Sequence, residues 1–151
     1  MLNRIVFALC ALLALSGCSS SKKGMHSGHS LSAAAADFEK NVGDRVHFAF
    51  DKSDLSHEAK AQLTRQAEWL KSDGKHTLHV VVEGHADERG TREYNIALGE
   101  RRADSAKRFL VAQGVRADRI EVISYGKERP AAIGNTEAVY KLNRRSVTVI
   151  K

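Results

Sequence analysis

The sequence predicts an α+β domain in which helices pack on one face of a four-stranded sheet. From residue 44 to residue 151 the apolar residues alternate between a period of two and a period of 3.6, in the order βαβαβαβ. None of the four predicted strands is apolar enough on both faces to be enclosed between two layers of helices. A chain of 151 residues allows this one domain plus appendages, because domains commonly hold roughly 100 to 200 residues.

The first half of the domain contains two predicted strands around a helix. Alternating apolar residues predict a strand over residues 46–50. Ser56 is a typical N-cap for the helix that follows, and Gly74 is a typical stop. The helix presents its apolar positions on one face, and a second strand follows over residues 78–82.

The second half repeats this alternation. A helix is predicted over residues 91–113 and ends at Gly114. A third strand covers residues 120–125, a short helix covers residues 136–142, and the last strand covers residues 147–150. The pattern contains no internal repeat.

Residues 1–17 have the three-part pattern of a secretory signal. Arg4 precedes an uncharged apolar run over residues 5–15, and small residues precede Cys18. The apolar run is too short to cross a bilayer, which takes about 20 residues. The sequence therefore predicts an exported protein.

The two cysteines sharpen this prediction. Cys10 lies inside the apolar run, so cleavage before Cys18 leaves one cysteine, at the start of the mature chain. Residues 15–18 resemble the bacterial lipobox, which implies a lipid on Cys18 and an anchor without a transmembrane helix. Ser19 resembles the pattern that sorts such proteins to the periplasmic face of the outer membrane. An ordinary signal peptide with a free cysteine is the alternative.

Residues 18–43 are rich in serine, glycine and alanine, and we predict a flexible tether there, with the folded domain starting at residue 44. About 25 such residues reach roughly 85 Å when taut. His26 and His29 lie in this segment without further ligands, which favours solvated side chains over a metal site.

Composition and charge limit the partners. Hydrophobic residues make up 42% and charged residues 28% of the chain, which is typical of a globular protein. The net charge of +6 would suit nucleic acid, but export favours an anionic or carboxylate-bearing partner in the cell envelope. Charge alone does not identify that partner.

The polar residues of chemical interest are concentrated over residues 83–91, between the second strand and the second helix. Ligands commonly bind where strands end and helices begin, although such a loop can also be a solvated turn.

The segment GHADERGTREYNIALGERRA, residues 84–103, closely resembles the peptidoglycan-binding loop and helix of the OmpA-like family. Residues 50–52, 124–130 and 143–145 also resemble motifs of this family. The resemblance covers the whole folded unit and, with the lipobox and tether, points to the lipid-anchored branch of the family. It implies the family's fold, in which the four-stranded sheet is mixed.

The resemblance also implies a function and a site. Family members bind peptidoglycan noncovalently at meso-diaminopimelate of the stem peptide, whose free end carries a carboxylate and an ammonium. The matching positions are Asp87 for the ammonium and Arg102 for the carboxylate. Asn95 and Leu98 match the pocket wall, and Asp51 also matches the pattern. If both side chains face solvent before the ligand binds, replacing either one should barely change stability.

Two positions depart from the family pattern, which often has threonine where this chain has Ala86 and serine where it has Gly99. An unbroken helix would place Arg102 about 15 Å from its start, at 1.5 Å per residue. We therefore expect Gly99 to be the N-cap of a helix that starts beside the loop, preceded by a separate helical turn. A surface ion pair of Arg102 with a neighbouring carboxylate is the alternative.

The resemblance also implies protein partners and makes other functions less favoured. Lipid-anchored family members belong to the Tol system of envelope integrity and cell division, and engage the β-propeller protein TolB through a surface that overlaps the wall-binding site. An anchor outside the Tol system is one alternative. A peptidoglycan hydrolase is another, although the chain lacks Gly-x-Ser-x-Gly and His-Glu-x-x-His motifs. We expect no enzyme activity, no metal, no cofactor beyond the lipid on Cys18, and no nucleic acid.

Overall fold

The computed structural model describes residues 27–151, in which four helices accompany a mixed four-stranded sheet. The signal segment, Cys18 and the tether up to residue 26 lie outside the described residues. The helices are α1 (Ser27–Asp37), α2 (His57–Lys71), α3 (Arg92–Ala112) and α4 (Glu137–Asn143). The strands are β1 (Arg45–His47), β2 (Val80–His85), β3 (Ile120–Gly126) and β4 (Arg145–Ile150). The predicted α+β class and its βαβαβαβ order are confirmed.

The strands lie in the order β1-β4-β2-β3. β2 is parallel to β3, with Val80 opposite Ile120, and α3 forms the crossover between them. β4 is antiparallel to both of its neighbours, β1 and β2. β1 and β3 are therefore the edges of the sheet.

Side-chain caps fix the starts of three helices. Ser56 Oγ accepts a hydrogen bond from the backbone N–H of Ala59 at 3.1 Å, as the sequence predicts for α2. Threonine hydroxyls play the same part for α3 and α4, at Thr91 and Thr136. These helices begin and end within about three residues of their predicted bounds.

The core lies between the sheet and the face formed by α2 and α3. Val80 and Val82 of β2 point into it, and Leu63, Leu70 and Leu110 meet them from the two helices. On the opposite face of the sheet Val81 and Glu83 are half-buried. One face of the sheet is thus covered by helices, as the alternating strands predict.

The segment before residue 44 differs from the predicted flexible tether. Residues 27–42 are helical, as α1 and one π-helical turn, Phe38–Val42. Phe38 is 1% exposed, and its ring centroid lies 4.9 Å from that of Trp69. Trp69 Nε1 donates to Asp37 Oδ2 at 2.7 Å. Alanine favours helix, and Phe38, with Leu31, Ala35 and Val42, packs the segment onto the core, so the packed unit begins before residue 44.

Helix α3 is continuous, and the predicted break at Gly99 is wrong. Gly99 is buried in the middle of the helix, where it faces Gly84 of β2. A Cβ on Gly84 would lie 1.8 Å from the carbonyl oxygen of Gly99, so neither position has room for a side chain. Gly99 therefore serves close helix–strand packing rather than capping.

Strand β1 is shorter than predicted and leaves the sheet after His47. The chain then turns, with the N–H of Lys52 donating to the carbonyl of Ala49 at 3.2 Å and Asp51 at a φ of 55°. Phe50, expected to be the last strand residue, is instead 56% exposed beside this turn.

Candidate functional site

A cavity of about 200 Å³ opens where β2 ends and α3 begins. It brings together all five residues that the sequence analysis placed in the site. Its lining consists of Phe50, Asp51, Asp87, Arg89, Gly90, Tyr94, Asn95, Leu98 and Arg102.

Three segments build the cavity. The turn after β1 supplies Asp51, and the loop after β2 supplies Asp87. Helix α3 supplies Asn95, Leu98 and Arg102, whose spacing of three and four residues places them on one face of a helix. The loop lies back along the first turns of the continuous helix. Arg102 therefore reaches the loop, although it lies about 15 Å from the start of the helix.

Arg102 is fully buried at the inner end of the cavity. Its guanidinium donates to three backbone carbonyls, those of Lys52 at 2.8 Å, His85 at 2.8 Å and Ala49 at 3.2 Å. These bonds join the turn after β1 to the end of β2. Arg102 therefore does not face solvent, and the alternative of a surface ion pair with a described carboxylate does not hold.

The charge of Arg102 has no ion-pair partner among residues 27–151. Burial lowers its pKa to about 10, while the negative charge of Asp87 acts in the opposite direction. Two of its five N–H groups remain beyond the three that bond carbonyls. A carboxylate entering the cavity would satisfy both the charge and those donors.

Asp87 is 4% exposed, so its side chain does not face solvent either. Its Oδ2 accepts from Arg89 Nη2 at 2.6 Å and from Arg144 Nη1 at 3.4 Å. Burial raises the pKa of Asp87, but the hydrogen bonds and charge of Arg89, together with Arg144, outweigh it, and the pKa lies below its ordinary value. The carboxylate is therefore ionised at neutral pH.

Arg89 is a site residue that the sequence analysis did not single out. Its guanidinium lies between two aromatic rings, 4.0 Å from the centroid of Phe50 and 4.3 Å from that of Tyr140. It also lies 3.7 Å from Glu137 Oε2. Arg89 thus places a cation on the carboxylate of Asp87. The several arginines near an acidic loop residue in the sequence were the signal that could have identified Arg89.

The remaining predicted residues shape the cavity. Asn95 is buried and donates through Nδ2 to the carbonyl of Arg89 at 2.9 Å, which holds the loop against α3. Leu98 is 5% exposed and forms an apolar wall. Asp51 accepts a hydrogen bond from the hydroxyl of Tyr94 at the rim. Tyr94 was also not anticipated from the sequence.

His85 lies directly before this loop, with its ring on the opposite face of the sheet. The ring is 1% exposed and stacks near Tyr125, at 5.6 Å between centroids. Neither ring nitrogen has a hydrogen-bond partner in the described part of the chain, although Glu83 Oε2 lies 3.5 Å from Nε2. Burial, with the nearby charges of Arg145 and Arg129, lowers the pKa of His85 to about 4.

Residues 27–151 contain no group of three or more His, Cys, Asp or Glu side chains placed to hold a metal ion. No helix within this range combines the length and apolar character that a bilayer crossing requires.

Known proteins resemble this chain in both sequence and structure. The sequence profile of the OmpA family matches residues 47–144. The peptidoglycan-associated lipoprotein of Mesorhizobium japonicum is 46% identical over 98% of this chain and 92% of its own. The crystal structure of the peptidoglycan-associated lipoprotein from Burkholderia pseudomallei is 37% identical, with a TM-score of 0.69, over 75% of this chain and 96% of its own.

A more distant structural relative is the cell wall anchor of the T6SS from Pseudomonas aeruginosa, 27% identical with a TM-score of 0.57 over 79% of this chain and 95% of its own. The predicted resemblance to OmpA-like domains, and to their lipid-anchored branch, is confirmed by these relatives. The chain therefore belongs to the OmpA family, in its peptidoglycan-associated lipoprotein branch.

Proposed function

We propose that this protein is a lipoprotein of the outer membrane whose domain binds peptidoglycan noncovalently through meso-diaminopimelate. The observation that carries the proposal is the pairing in one cavity of Asp87 with Arg102, a buried cation that has no ion-pair partner among the described residues. The free end of diaminopimelate presents a carboxylate and an ammonium a short distance apart. A cavity with one positive and one negative side chain is complementary to that zwitterion.

The two ends of the ligand meet different groups. Its carboxylate accepts hydrogen bonds from the N–H groups of Arg102 that do not bond carbonyls. Its ammonium binds Asp87 and displaces Arg89, which occupies that carboxylate in the ligand-free protein. At about 200 Å³ the cavity accommodates the end of one side chain, so recognition is of the stem peptide rather than the glycan.

The N-terminus supplies the second attachment. Lipid on Cys18 holds the protein at the periplasmic face of the outer membrane, and the domain holds the wall, so the protein links the two layers. We assign it to the Tol–Pal system, with TolB as a protein partner that competes for the wall-binding surface. The relatives named above carry the lipoprotein name, which supports this assignment. The family is not enzymatic, so a peptidoglycan hydrolase is not proposed.

Pelleting with purified sacculi tests the wall site. Asp87→Asn removes the charge at nearly constant shape and is expected to weaken binding about 10-fold to 150-fold, the equivalent of one charge-assisted hydrogen bond. Asp104→Asn, on the exposed face of α3, is the matched control and should bind as the unmodified protein does. Circular dichroism checks that both variants are folded.

The chemistry of the peptidoglycan provides a second test of the wall site. Peptidoglycan with lysine in place of diaminopimelate lacks the distal carboxylate and leaves Arg102 without a ligand. We expect much weaker binding to lysine-type sacculi. Equal binding to both wall types, or full binding by Asp87→Asn, would contradict the proposed site.

The anchor and the protein partner need their own tests. Mass spectrometry of the mature N-terminus should find acylated Cys18, and Cys18→Ala should release the protein from the membrane or leave its precursor uncleaved. Purified TolB should bind the protein and be displaced by sacculi. An unmodified cysteine would argue against the anchor, and simultaneous binding of TolB and sacculi would argue against a shared surface.

A further inference from the structure

The free edge of β1 carries backbone groups that point away from the sheet. The carbonyl of Asp44 accepts from the N–H of Thr148 at 2.7 Å, and the N–H of Phe48 donates to the carbonyl of Arg144 at 2.9 Å. In an antiparallel ladder such bonded residues alternate with residues that face the other way. The N–H and C=O groups of Arg45 and His47 therefore face outward from the edge.

A groove of about 540 Å³ runs along this edge. We call it the β1 groove, and its walls are β1, one face of α2 and the end of α4. Ala59, Gln62 and Arg65 contribute from α2, and Lys141 contributes from α4. An extended segment lying here would pair with β1 on one side and contact α2 on the other.

The β1 groove is basic. Arg65 and Lys141 are exposed and form no ion pair with any described carboxylate. Arg45 is also exposed, although Asp44 pairs with it at 2.7 Å. Among the described residues that line the groove, Glu58 is the one that carries a carboxylate. The groove thus offers positive charge to whatever lies along β1.

His47, on the free edge of β1, lies near the same positive charges. Burial is the main cause that lowers the pKa of His47, and four cations add to it: Arg45, Arg145, Lys141 and Arg144. Their common sign at one side chain agrees with the positive charge along the groove.

We propose that the β1 groove binds an extended acidic segment of another protein, which adds to the sheet as a strand beside β1. The two outward-facing residues allow up to about four backbone hydrogen bonds, two from each residue. Carboxylates on the segment meet Arg65 and Lys141, so charge supplies the specificity.

Two other occupants fit less well. The N-terminal segment of this chain carries Lys22 and Lys23 and has no acidic residue before Asp37, so its charge repels the groove. A second copy paired through β1 would bring Arg45 and His47 of one copy beside the same basic residues of the other. An acidic partner avoids both conflicts.

The β1 groove is a different surface from the wall-binding cavity, but one residue of the groove also contacts a residue of that cavity. Arg144 lines the β1 groove, donates through Nε to the carbonyl of Phe48, and reaches Asp87 through Nη1. The test therefore changes Arg65 and Lys141, which have no contact with the wall-binding cavity. The proposal stands independently of peptidoglycan binding.

The experiment measures binding of a fluorescein-labelled peptide of eight alternating Glu and Val residues to the full-length protein in detergent. Fluorescence anisotropy at low salt should show binding that is at least about 10-fold tighter than that of a Lys/Val peptide. The double variant Arg65→Glu, Lys141→Glu should weaken binding by about 10-fold or more. Arg108→Glu, Arg116→Glu changes the net charge equally on other exposed surfaces and should retain binding.

Hydrogen exchange locates the peptide on the unmodified protein. We expect the peptide to slow exchange at the amides of Arg45 and His47. Protection at other amides but not at these two would overturn the proposal. Equal binding by both double variants, or equal binding of the acidic and basic peptides, would overturn it too. Pairing of two copies through β1, unaffected by the peptide, would overturn it as well.

Discussion

Gly84 of β2 and Gly99 of α3 meet backbone to backbone. A Cβ on Gly99 would lie 2.3 Å from Ser124 Oγ and 2.9 Å from the carbonyl oxygen of Gly84. This contact sets the distance between α3 and the sheet. It also places Arg102, three residues beyond Gly99, within 2.8 Å of the carbonyl of His85, the residue after Gly84. The glycine pair therefore positions the buried arginine of the site.

Gly99→Ala is expected to destabilise the protein by about 1 to 3 kcal/mol, the usual range for overpacking. At a helix position with open space the same change would stabilise by up to about 1 kcal/mol, because alanine favours helix. The sign of the effect therefore distinguishes packing from propensity. Urea unfolding measures it, and a variant as stable as the unmodified protein would contradict the contact.

Phe38→Ala should lower the free energy of unfolding by about 3 to 5 kcal/mol, as for other buried phenylalanines. A chain that starts at residue 44 lacks the same side chain and should lose at least as much stability while still unfolding cooperatively. Urea unfolding of both, beside a chain that starts at residue 27, checks this. Equal stability of the two shortened chains would show that the helical segment contributes nothing to the core.

Arg102→Lys should destabilise the fold even without ligand. A lysine ammonium cannot reach the three carbonyls that the guanidinium bonds, and each buried carbonyl left unpaired costs about 1 to 3 kcal/mol. The exposed neighbour Arg101 gives a matched control, since Arg101→Lys should change stability by less than about 0.5 kcal/mol. Thermal unfolding of both variants measures the difference. Similar melting temperatures would mean that the carbonyl bonds are not structural.

His85 should make stability depend on pH. The folded protein holds this side chain neutral down to a pH of about 4, whereas a histidine in the unfolded chain has a pKa of about 6.5. Between these values the unfolded state binds more protons, so stability falls as the pH drops through this window. His85→Phe should remove that part of the dependence. Urea unfolding at several pH values tests it, and parallel profiles for the two proteins would refute it.

The sequence predicts most of the fold because its signals are local. The capping hydroxyl of Ser56 and the alternation along the strands depend on neighbours in the chain, and both appear as expected. Gly99 was misread because glycine is common at helix caps, while its actual reason is Gly84, fifteen residues away. The helical segment before β1 was missed because serine, glycine and alanine dominate its composition, although Leu31, Ala35, Phe38 and Val42 lie at helical spacing and pack in or against the core.

The residues that line the cavity could be predicted from the sequence, but their arrangement could not. The resemblance to OmpA-like domains named Asp51, Asp87, Asn95, Leu98 and Arg102, and all five line one cavity. Their burial and partners depend on how the loop turns back on itself, as when Arg89 folds onto the carboxylate two residues before it. Such a contact is decided by loop conformation and by aromatic rings distant in the sequence.

With the proposed lipid on Cys18, the docked helix α1 limits how far apart the membrane and the wall can stand. Leu31 is the first residue of α1 that packs against the core, and it follows Cys18 by 13 residues. The nine residues from Cys18 to Ser27 span at most about 30 Å, and the helical residues up to Leu31 add about 6 Å, so the link is less than half as long as a tether that runs to residue 43. A wider gap would require α1 to peel away from the domain. Leu31 and Ala35 would leave the core first, and the contact between Phe38 and Trp69 would resist further extension.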